Sequence, residues 1–221
     1  MADDRPVPQI HGCPMKTVLL LSGGIDSTTL LWKLAHDGDT VACLSVDYGQ
    51  RHIRELDHCT DILDEAICVD VQDHFMHQVV SIRGICGSAL VGDGDIPHHD
   101  DPQSATVVPG RNLMFIAAAA GWAQEIGYDR VALGCHSGDH AIYRDCRIDF
   151  IAAADIACQM GYGVSVVAPF SRMNKRDIVQ LAAELNTPIG LTWTCYEGGD
   201  DPCGECGACR ERNQAIGRIP S

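Results

Sequence analysis

Short apolar runs alternate with amphipathic or evenly apolar segments along most of the chain. The apolar runs have the length and composition of buried strands, and they lie at 17–22, 40–49, 67–71, 130–135 and 163–169. The segments between and after them have the composition or the 3.6-residue period of helices, at 27–38, 51–66, 112–126, 147–160 and 174–186. Strands that alternate with helices predict an α/β fold, a doubly wound five-stranded parallel sheet that is covered on both faces.

Three regions depart from this alternation and suggest the domain boundaries. Residues 1–15 are acidic and proline-rich and predict a loose N-terminal extension. Residues 72–108 are rich in glycine and proline, which predicts one long loop, of the kind that is usually a functional lid or disordered. The segment 191–221 is rich in cysteine and poor in aliphatic residues. We therefore expect an α/β domain over 16–190 with a small C-terminal segment.

Composition narrows the class of partner. The 221 residues include 16 basic and 30 acidic side chains, for a net charge of −14, which argues against a nucleic-acid partner because such binding needs a basic surface. No apolar run has the roughly 18 residues of a membrane span, and the N-terminus lacks the apolar region of a signal peptide. We expect a cytoplasmic protein whose 12 cysteines stay reduced.

The first strand leads into the string Ser-Gly-Gly-Ile-Asp-Ser at 22–27. Gly23 and Gly24 let the backbone turn and approach an anion closely, and the start of the following helix offers free N–H groups and a positive dipole end for a phosphate. Asp26 suits a Mg²⁺ ligand or a helix cap. The spacing is not that of a Walker A loop, and a tight strand-to-helix turn without a ligand is the alternative. Hydroxyl donors come from Ser22, Ser27 and Thr28.

Four cysteines near the C-terminus have the spacing C-x7-C-x2-C-x2-C, with glycines between them. They are Cys195, Cys203, Cys206 and Cys209. Four thiolates so placed predict a closed, tetrahedral Zn²⁺ site that would clip a tail too poor in aliphatics to fold alone. An iron–sulfur cluster and free surface thiols are the alternatives. The other eight cysteines are scattered over predicted strands, helices and loops, and for most of them we expect small buried side chains.

The glycine string resembles the S-G-G-x-D-S signature of the PP-loop ATP pyrophosphatases, whose fold is that of the adenine nucleotide alpha-hydrolases. Five further stretches occur in the order of one family of that group: "DYGQRH" from 47, "VPGRN" from 108, "YRDCRIDF" from 143, "NKRDIV" from 174 and the cysteine tail. Over 17–213 the chain thus resembles the 7-cyano-7-deazaguanine synthases, the QueC family.

This resemblance implies an ATP-dependent ligase of queuosine and deazapurine biosynthesis. The substrates would be 7-carboxy-7-deazaguanine, ammonia and ATP with Mg²⁺. ATP would adenylate the carboxylate, ammonia would displace AMP to give the amide, and a second ATP would activate the amide oxygen so that a nitrile forms. The family also implies a homodimer.

The resemblance carries roles onto this sequence. The nucleotide would be held by Leu20, Leu21, Ser22, Gly23, Gly24, Ile25, Asp26, Ser27, Thr28 and Lys175. Catalytic roles fall to Asp26, Arg111 and Lys175. The acceptor would be contacted by Tyr48, Gln50, Arg51, Tyr143, Asp145 and Arg147. Each role has a purely structural alternative. Lys175 could be a surface lysine and Arg111 a helix-end arginine. Tyr48, Gln50 and Arg51 could be ordinary helix-start residues, and Asp145 and Arg147 could belong to a helix-capping cluster.

One stretch departs from the family pattern. Residues 134–147 read "GCHSGDHAIYRDCR", with Arg144 where the family usually has proline. Asp139 would keep the acidic role, and His136 and His140 add a candidate metal pair or plain loop histidines. The acceptor is therefore the least secure inference. Other possibilities are a relative that stops at the amide or uses another acceptor, a tRNA-thiolating enzyme, and a nucleotide-sensing adaptor subunit.

Overall fold

The structure is a computed structural model that describes residues 14–84, 87–92, 95–97 and 103–217. Most of the predicted N-terminal extension, and the histidine pair at 98–99, therefore lie outside the described residues. Within the described residues no helix combines the length and the apolar character needed to cross a bilayer.

A five-stranded sheet forms the centre of the molecule, and all of its strand pairs are parallel. The strand order is β3-β2-β1-β4-β5, so β1 lies in the middle. This arrangement confirms the predicted fold class. The strands are β1 (Lys16–Leu20), β2 (Thr40–Asp47), β3 (His77–Ser81), β4 (Arg130–Ala132) and β5 (Ser165–Val167).

Helices cover both faces of the sheet. They are α1 (Ile25–His36), α2 (Glu55–Cys68), α3 (Arg111–Ile126), α4 (Ile148–Tyr162), α5 (Lys175–Glu184) and α6 (Gly207–Ile216). Short 3₁₀ turns lie at Gln103–Thr106, Ser137–Ala141, Arg144–Cys146 and Ile189–Leu191.

Successive residues of a strand point to opposite faces of the sheet, and β1 therefore feeds two cores. Leu19 packs into a cluster with residues of α1, α2 and α5, whereas Val18 packs into a second cluster with residues of α3 and α4. Both side chains have no exposed surface. The glycine loop, residues 22–27, follows directly on this anchored strand.

The predicted third strand at 67–71 is wrong. Helix α2 continues through Cys68, and the chain then turns at Asp70, whose φ is 56°. Ile67 and Val69 are 39% and 51% exposed, so these apolar residues belong to a helix end and a turn, which a short apolar run does not distinguish from a strand. The third strand is β3, an edge strand with mostly exposed side chains inside the segment that we expected to be one irregular loop.

Helix α5 lies within the predicted helix at 174–186, whereas helix α6 was not predicted. Asn174 caps α5: its side chain accepts hydrogen bonds from Arg176 N and Asp177 N, and the Asp177 side chain accepts one from Asn174 N. Helix α6, in the cysteine-rich tail, was not predicted, because it has few of the aliphatic residues that produce a helical pattern.

Truncation of two isoleucines on α2 distinguishes the helix from the predicted strand. Ile62 is fully buried and Ile67 is 39% exposed. We expect Ile62→Ala to lower the free energy of unfolding by about 2–5 kcal/mol, because it leaves a core cavity, and Ile67→Ala to change it by less than about 1 kcal/mol. Urea unfolding of the two variants measures this difference. Equal, large losses would support a buried strand at 67–71.

Candidate active site

The turn after β1 is held so tightly that only glycine fits at Gly23. Its φ is 75°, and a Cβ there would lie 2.3 Å from the Glu55 carbonyl oxygen. The first turn of α2 therefore packs directly on the loop, without a side chain between them. The next residue, Gly24, has ordinary room around it, its nearest neighbours lying 3.5 Å and 3.6 Å from a built Cβ.

The hydroxyl groups of the loop mostly serve the loop itself. Ser27 Oγ and Thr28 Oγ1 both donate to Gly24 O, at 3.3 Å and 2.8 Å, and both side chains are buried. Ser22 N donates to Ser27 Oγ at 3.2 Å, while the Ser22 side chain is exposed at the rim. These bonds fix the turn, and the main-chain N–H groups at the start of α1 are left to meet an anion.

Asp26 and Lys175, which were predicted from stretches far apart in the sequence, meet across the loop. Lys175 Nζ lies 2.9 Å from Asp26 Oδ1 and 2.7 Å from Oδ2, and 3.7 Å from Glu211 Oε2. Burial opposes the charge of the lysine, but the neighbouring carboxylates, first among them Asp26, raise the pKa of Lys175 above its usual range. The ammonium is therefore charged at neutral pH.

A buried histidine faces three carboxylates beside this ion pair. His136 Nδ1 accepts a hydrogen bond from Gly138 N at 3.0 Å, and we therefore assign the ring proton to Nε2. Nε2 lies 4.0 Å from Asp26, 3.7 Å from Asp139 and 4.0 Å from Glu211. The sequence analysis did not find Glu211, because it lies on the unpredicted α6.

The phosphate loop and the tail enclose one cavity of about 160 Å³. Trp193 N donates to Gly23 O at 2.9 Å, and the Trp193 ring stacks on His58 with centroids 5.4 Å apart. The tail thus forms one wall of the cavity. Residues that line it are Ser22, Gly24, Ile25, Asp26, His52, Glu55, His136, Asp139, Lys175, Trp193, Thr194, Tyr196, Ala208, Glu211 and Arg212.

Arg111 lies between two tyrosine rings at the neighbouring end of β2. Its guanidinium carbon is 5.8 Å from the centre of the Tyr48 ring and 5.7 Å from that of Tyr143. Phe115 packs against Tyr48 with centroids 5.5 Å apart. Tyr48 and Phe115 also line a cavity of about 100 Å³, together with Leu20, Leu21, Ser22, Leu44, Val46, Glu55 and Leu56. A flat aromatic ligand with an anionic group suits such surroundings.

The side chain of Gln50 is used within the loop that follows β2. Its Oε1 accepts from Tyr48 N at 2.9 Å, and its Nε2 donates to Val46 O at 3.1 Å and to Glu55 Oε1 at 2.9 Å. Gln50 is 3% exposed. It therefore shapes the loop and holds Glu55, and its predicted contact with the acceptor stays a prediction.

Glu55, which the sequence analysis missed, is a carboxyl group at the edge of both cavities. Its side chain is 14% exposed, and its Oε2 lies 3.4 Å from His52 Nε2. Burial raises the pKa of Glu55 to about 8, although the hydrogen bond from Gln50 and the charge of Arg111 oppose this rise. Burial also lowers the pKa of His52 to about 4, so that imidazole is neutral.

The other four residues that we predicted to contact the acceptor lie around this region, each with different neighbours. Arg51 is 3.4 Å from Glu197 of the tail. Asp145 Oδ2 accepts from the backbone N–H of Asn112, at the start of α3. Arg147 is exposed and donates from Nε to His140 O at 2.9 Å. Tyr143, in contrast, reaches inwards, with its hydroxyl 2.8 Å from Thr106 Oγ1.

The four tail cysteines come together as predicted. The sulfur atoms of Cys195, Cys203, Cys206 and Cys209 all lie within 4.8 Å of one another, which is close enough to share one metal ion. Three of the four are buried. Main-chain N–H groups point at two of the sulfurs: Cys203 N lies 3.3 Å from Cys195 Sγ, and Glu205 N and Cys206 N lie 3.5 Å and 3.4 Å from Cys203 Sγ. Such donors stabilise thiolates, the form that binds a metal.

Most of the other described cysteines are small buried side chains, as expected. They are Cys43, Cys59, Cys135, Cys146 and Cys158, whereas Cys68 is exposed at the end of α2.

Comparison with known proteins gives close relatives along most of the chain. A "7-cyano-7-deazaguanine synthase" of Archaeoglobus fulgidus is 41% identical over 212 residues, which is 91% of this chain and 86% of that protein. A protein of the same name from Marinobacter nauticus is 40% identical over 208 residues, covering 90% and 91% of the two chains.

A solved structure supports the fold. A 4-thiouridine synthetase, in an RNA complex with bound ATP, superposes with a TM-score of 0.56 at 18% identity. The match covers 93% of this chain and 50% of that one, so this chain spans half of the synthetase. At this identity the likeness concerns the fold alone.

The family model "Queuosine biosynthesis protein QueC" matches residues 16–219, which include the glycine loop, the tyrosine–arginine cluster and all four tail cysteines. The chain therefore belongs to the QueC family.

Proposed function

We propose that this protein is an ATP-dependent ligase that converts 7-carboxy-7-deazaguanine and ammonia into 7-cyano-7-deazaguanine for queuosine biosynthesis. The names of its relatives support this reaction. The observation that carries the proposal is that Ser22 of the glycine loop lines both the cavity of the Lys175–Asp26 pair and the cavity of Tyr48 and Phe115, while Arg111 lies over the Tyr48 ring. A triphosphate and a flat aromatic acid would thus meet at the end of β1.

In the first half-reaction a carboxylate oxygen of the substrate attacks the α-phosphorus of ATP. The bond between the α-phosphorus and the bridging oxygen breaks, and pyrophosphate leaves with the electron pair. Lys175 and the N–H groups at the start of α1 would neutralise the pyrophosphate charge as it develops. Arg111 would hold the carboxylate, because its planar guanidinium matches two oxygens at once.

The later steps replace oxygen by nitrogen. Ammonia attacks the acyl carbon of the adenylate, AMP leaves, and an amide forms. The amide oxygen then attacks the α-phosphorus of a second ATP, a second pyrophosphate leaves with the electron pair of the broken P–O bond, and the amide oxygen becomes part of a good leaving group. Loss of AMP from that intermediate gives the nitrile. The protein's main contribution would be to hold the reacting groups in line within the two adjoining cavities.

The carboxylates of the site fit a Mg²⁺ ion that accompanies ATP. Asp26, Asp139 and Glu211 all lie within 4.0 Å of His136 Nε2, so the cavity is rich in the oxygen ligands that Mg²⁺ prefers. Asp26 would hold the ion, and the ion would neutralise part of the phosphate charge.

Zn²⁺ is our proposal for the tail cysteines. Four thiolates around Zn²⁺ at about 2.3 Å place the sulfurs roughly 3.8 Å apart, which is consistent with the mutual distances within 4.8 Å. The closed set of four ligands leaves no open position, so the ion would be structural. The ion would hold the wall of the cavity that carries Trp193 and Glu211. It would thereby stabilise the C-terminal segment, whose boundary with the α/β domain we place near residue 190.

A tRNA-thiolating reaction is disfavoured by the surroundings of Cys59, a described cysteine next to the glycine loop. Such chemistry needs a reactive cysteine, which is a thiolate with some access to solvent. Cys59 lies beside Gly23, but it is fully buried and burial raises its pKa to about 12. The net charge of −14 also disfavours an RNA partner. A small-molecule reaction in a reducing compartment, the cytoplasm, fits better.

The reaction can be tested with purified protein, ATP, Mg²⁺, ammonium and 7-carboxy-7-deazaguanine, followed by mass spectrometry. We expect AMP and a product with the mass of the nitrile. In the same assay Asp26→Ala should reduce turnover by at least about a hundredfold, because it removes the carboxylate that would hold the Mg²⁺ ion, while the thermal unfolding midpoint stays close to that of the wild type. Wild-type protein that releases no AMP would refute the proposal, and an amide that accumulates would identify an enzyme that stops halfway.

Loss of a single tail cysteine tests the metal. We expect Cys206→Ser to carry less than about a tenth of the wild-type zinc, read by elemental analysis, because the shell needs four thiolates. We also expect this variant to lose about 3 kcal/mol of stability, which corresponds to a fall of roughly 6–12 °C in Tm for a chain of this size. Cys158→Ser, which changes a cysteine outside the cluster, is the matched control and should keep its zinc. Iron instead of zinc in the wild type would favour a cluster.

A homodimer is supported by the outer face of α4, which is apolar although it faces solvent. Ile156 and Met160 are 61% and 85% exposed, and Ala153 and Ala157 lie beside them. A groove of about 470 Å³ opens next to this face, lined in part by Ile148 and Ala152. An exposed apolar patch of this kind marks an interaction surface, and a second copy of the chain would cover it.

Light scattering measures the dimer directly. The chain mass is 23.8 kDa, and we expect twice that value for the wild type. Ile156→Asp should shift the mass towards that of one chain, because it places a charge in the apolar interface. Ile67→Asp, on the exposed side of α2, is the control and should leave the mass unchanged. A wild-type mass of one chain would contradict the proposal.

A further inference from the structure

The proposed reaction requires a proton acceptor, a role that none of the residues above has been given. On the way from ammonia to the nitrile, the nitrogen loses all three of its protons. One leaves when the amide forms, and two leave while the activated amide becomes the nitrile. In the last step an N–H bond breaks, its electron pair becomes part of the carbon–nitrogen triple bond, and the C–O bond breaks as AMP departs. Each proton needs a base near the reacting carbon.

Most titratable groups of the site are poor acceptors at neutral pH. Lys175 is charged and paired with Asp26. Burial raises the pKa of Tyr48 and of Tyr196, so both phenols stay protonated. His52 is neutral and, with a pKa of about 4, a weak base. Arg111 stays protonated near neutral pH and therefore cannot accept a proton.

Glu55 is placed where the protons are released. It lines both the phosphate cavity and the cavity that contains Tyr48 and Phe115. One carboxyl oxygen accepts from Gln50 Nε2 at 2.9 Å, which fixes the rotamer. The other oxygen lies 3.4 Å from His52 Nε2, and that nitrogen lies 3.4 Å from the Tyr48 hydroxyl. The carboxyl group is thus held between Gln50 and His52, in a residue that lines both cavities.

Resting on the function proposed above, we propose that the Glu55 carboxylate accepts the protons that the substrate nitrogen loses in the amide- and nitrile-forming steps. A proton then moves from nitrogen to a Glu55 oxygen and leaves to solvent through the exposed part of the side chain, which is 14% of its surface. A carboxylate with an ordinary pKa would be a weaker base for this task. Burial raises the pKa of Glu55 to about 8, which brings it close to the working pH.

The variant Glu55→Gln keeps the shape of the side chain and an oxygen that can accept from Gln50, but it removes the base. We expect adenylation of the carboxylate to continue within about threefold, because that step transfers no proton from nitrogen. Exchange of labelled pyrophosphate into ATP, with 7-carboxy-7-deazaguanine and no ammonium, measures it. Formation of the amide and of the nitrile in single turnovers should fall by about 10²–10³-fold. Asp64→Asn, an exposed carboxylate on the same helix, is the control and should change neither measurement.

The pH dependence of the wild type gives a second measurement that does not depend on the folding of a variant. With the amide itself as substrate, no ammonium is present to titrate. Because the pKa of Glu55 is raised, the base is protonated below about pH 8 and the nitrile-forming rate should fall as the pH falls through that value. Groups that face Glu55 and share its field are Tyr48, His52, Cys59, Arg111 and, across the cavity, Asp26 and Lys175.

The outcomes separate the two proposals. If the wild type does not exchange pyrophosphate with 7-carboxy-7-deazaguanine, the proposed function fails, whatever Glu55→Gln does. If the wild type makes the nitrile and Glu55→Gln makes it at the same rate, the assignment of Glu55 is overturned. The same holds if the variant loses pyrophosphate exchange to the same extent as nitrile formation, or if the wild-type rate from the amide is flat between about pH 6 and 9.

Discussion

The close contact at Gly23 organises the whole candidate site. No Cβ fits between this residue and the Glu55 carbonyl, so the phosphate loop lies against the first turn of α2. On its other side, the Gly23 carbonyl accepts the N–H of Trp193 from the tail. One residue without a side chain thus joins the central strand, the helix that carries Glu55 and the cysteine-rich tail. A displacement of the loop would move all three at once.

The site combines a net negative charge with a local demand for anions. The chain carries a net charge of −14, and carboxylates of Asp26, Asp139 and Glu211 surround His136. Under the proposed function, attraction for a phosphate would come instead from Lys175 and from main-chain N–H groups, whose effect is short-ranged. The proposed neutralising ion would reconcile these carboxylates with a triphosphate. Overall charge therefore says little about a ligand that meets only a few local groups.

The sequence predicted the fold class, the glycine loop and the four-cysteine cluster, because each depends on a local pattern. Strand β1 and helix α1 are long apolar segments on either side of a glycine turn, and the cysteines have a metal-ligand spacing. It also assigned both Lys175 and Asp26 to the nucleotide, and the structure brings these two side chains together. The roles of these residues remain proposals.

Other parts followed from tertiary contacts that no local pattern shows. The apolar letters at 67–71 end a helix, whereas β3 is an edge strand with little alternation. Helix α6 has few aliphatic residues, so neither it nor Glu211 was predicted. Glu55 resembles any acidic residue in the first turn of a helix. Only its burial against Gln50 and His52 marks it as unusual.

The Lys175–Asp26 pair has a consequence for which nucleotide can enter. Without a nucleotide, the ammonium of Lys175 and the carboxylate of Asp26 are paired with each other. A phosphate could bind the lysine only by breaking this ion pair. A free nucleotide would leave the aspartate as an unpaired anion next to Asp139 and Glu211. A nucleotide that arrives with its own cation offers each member of the pair a new partner of opposite sign. Under the proposed function, the resting pair would therefore discriminate by exchange of partners and would admit the cation-bound nucleotide in preference to the bare one.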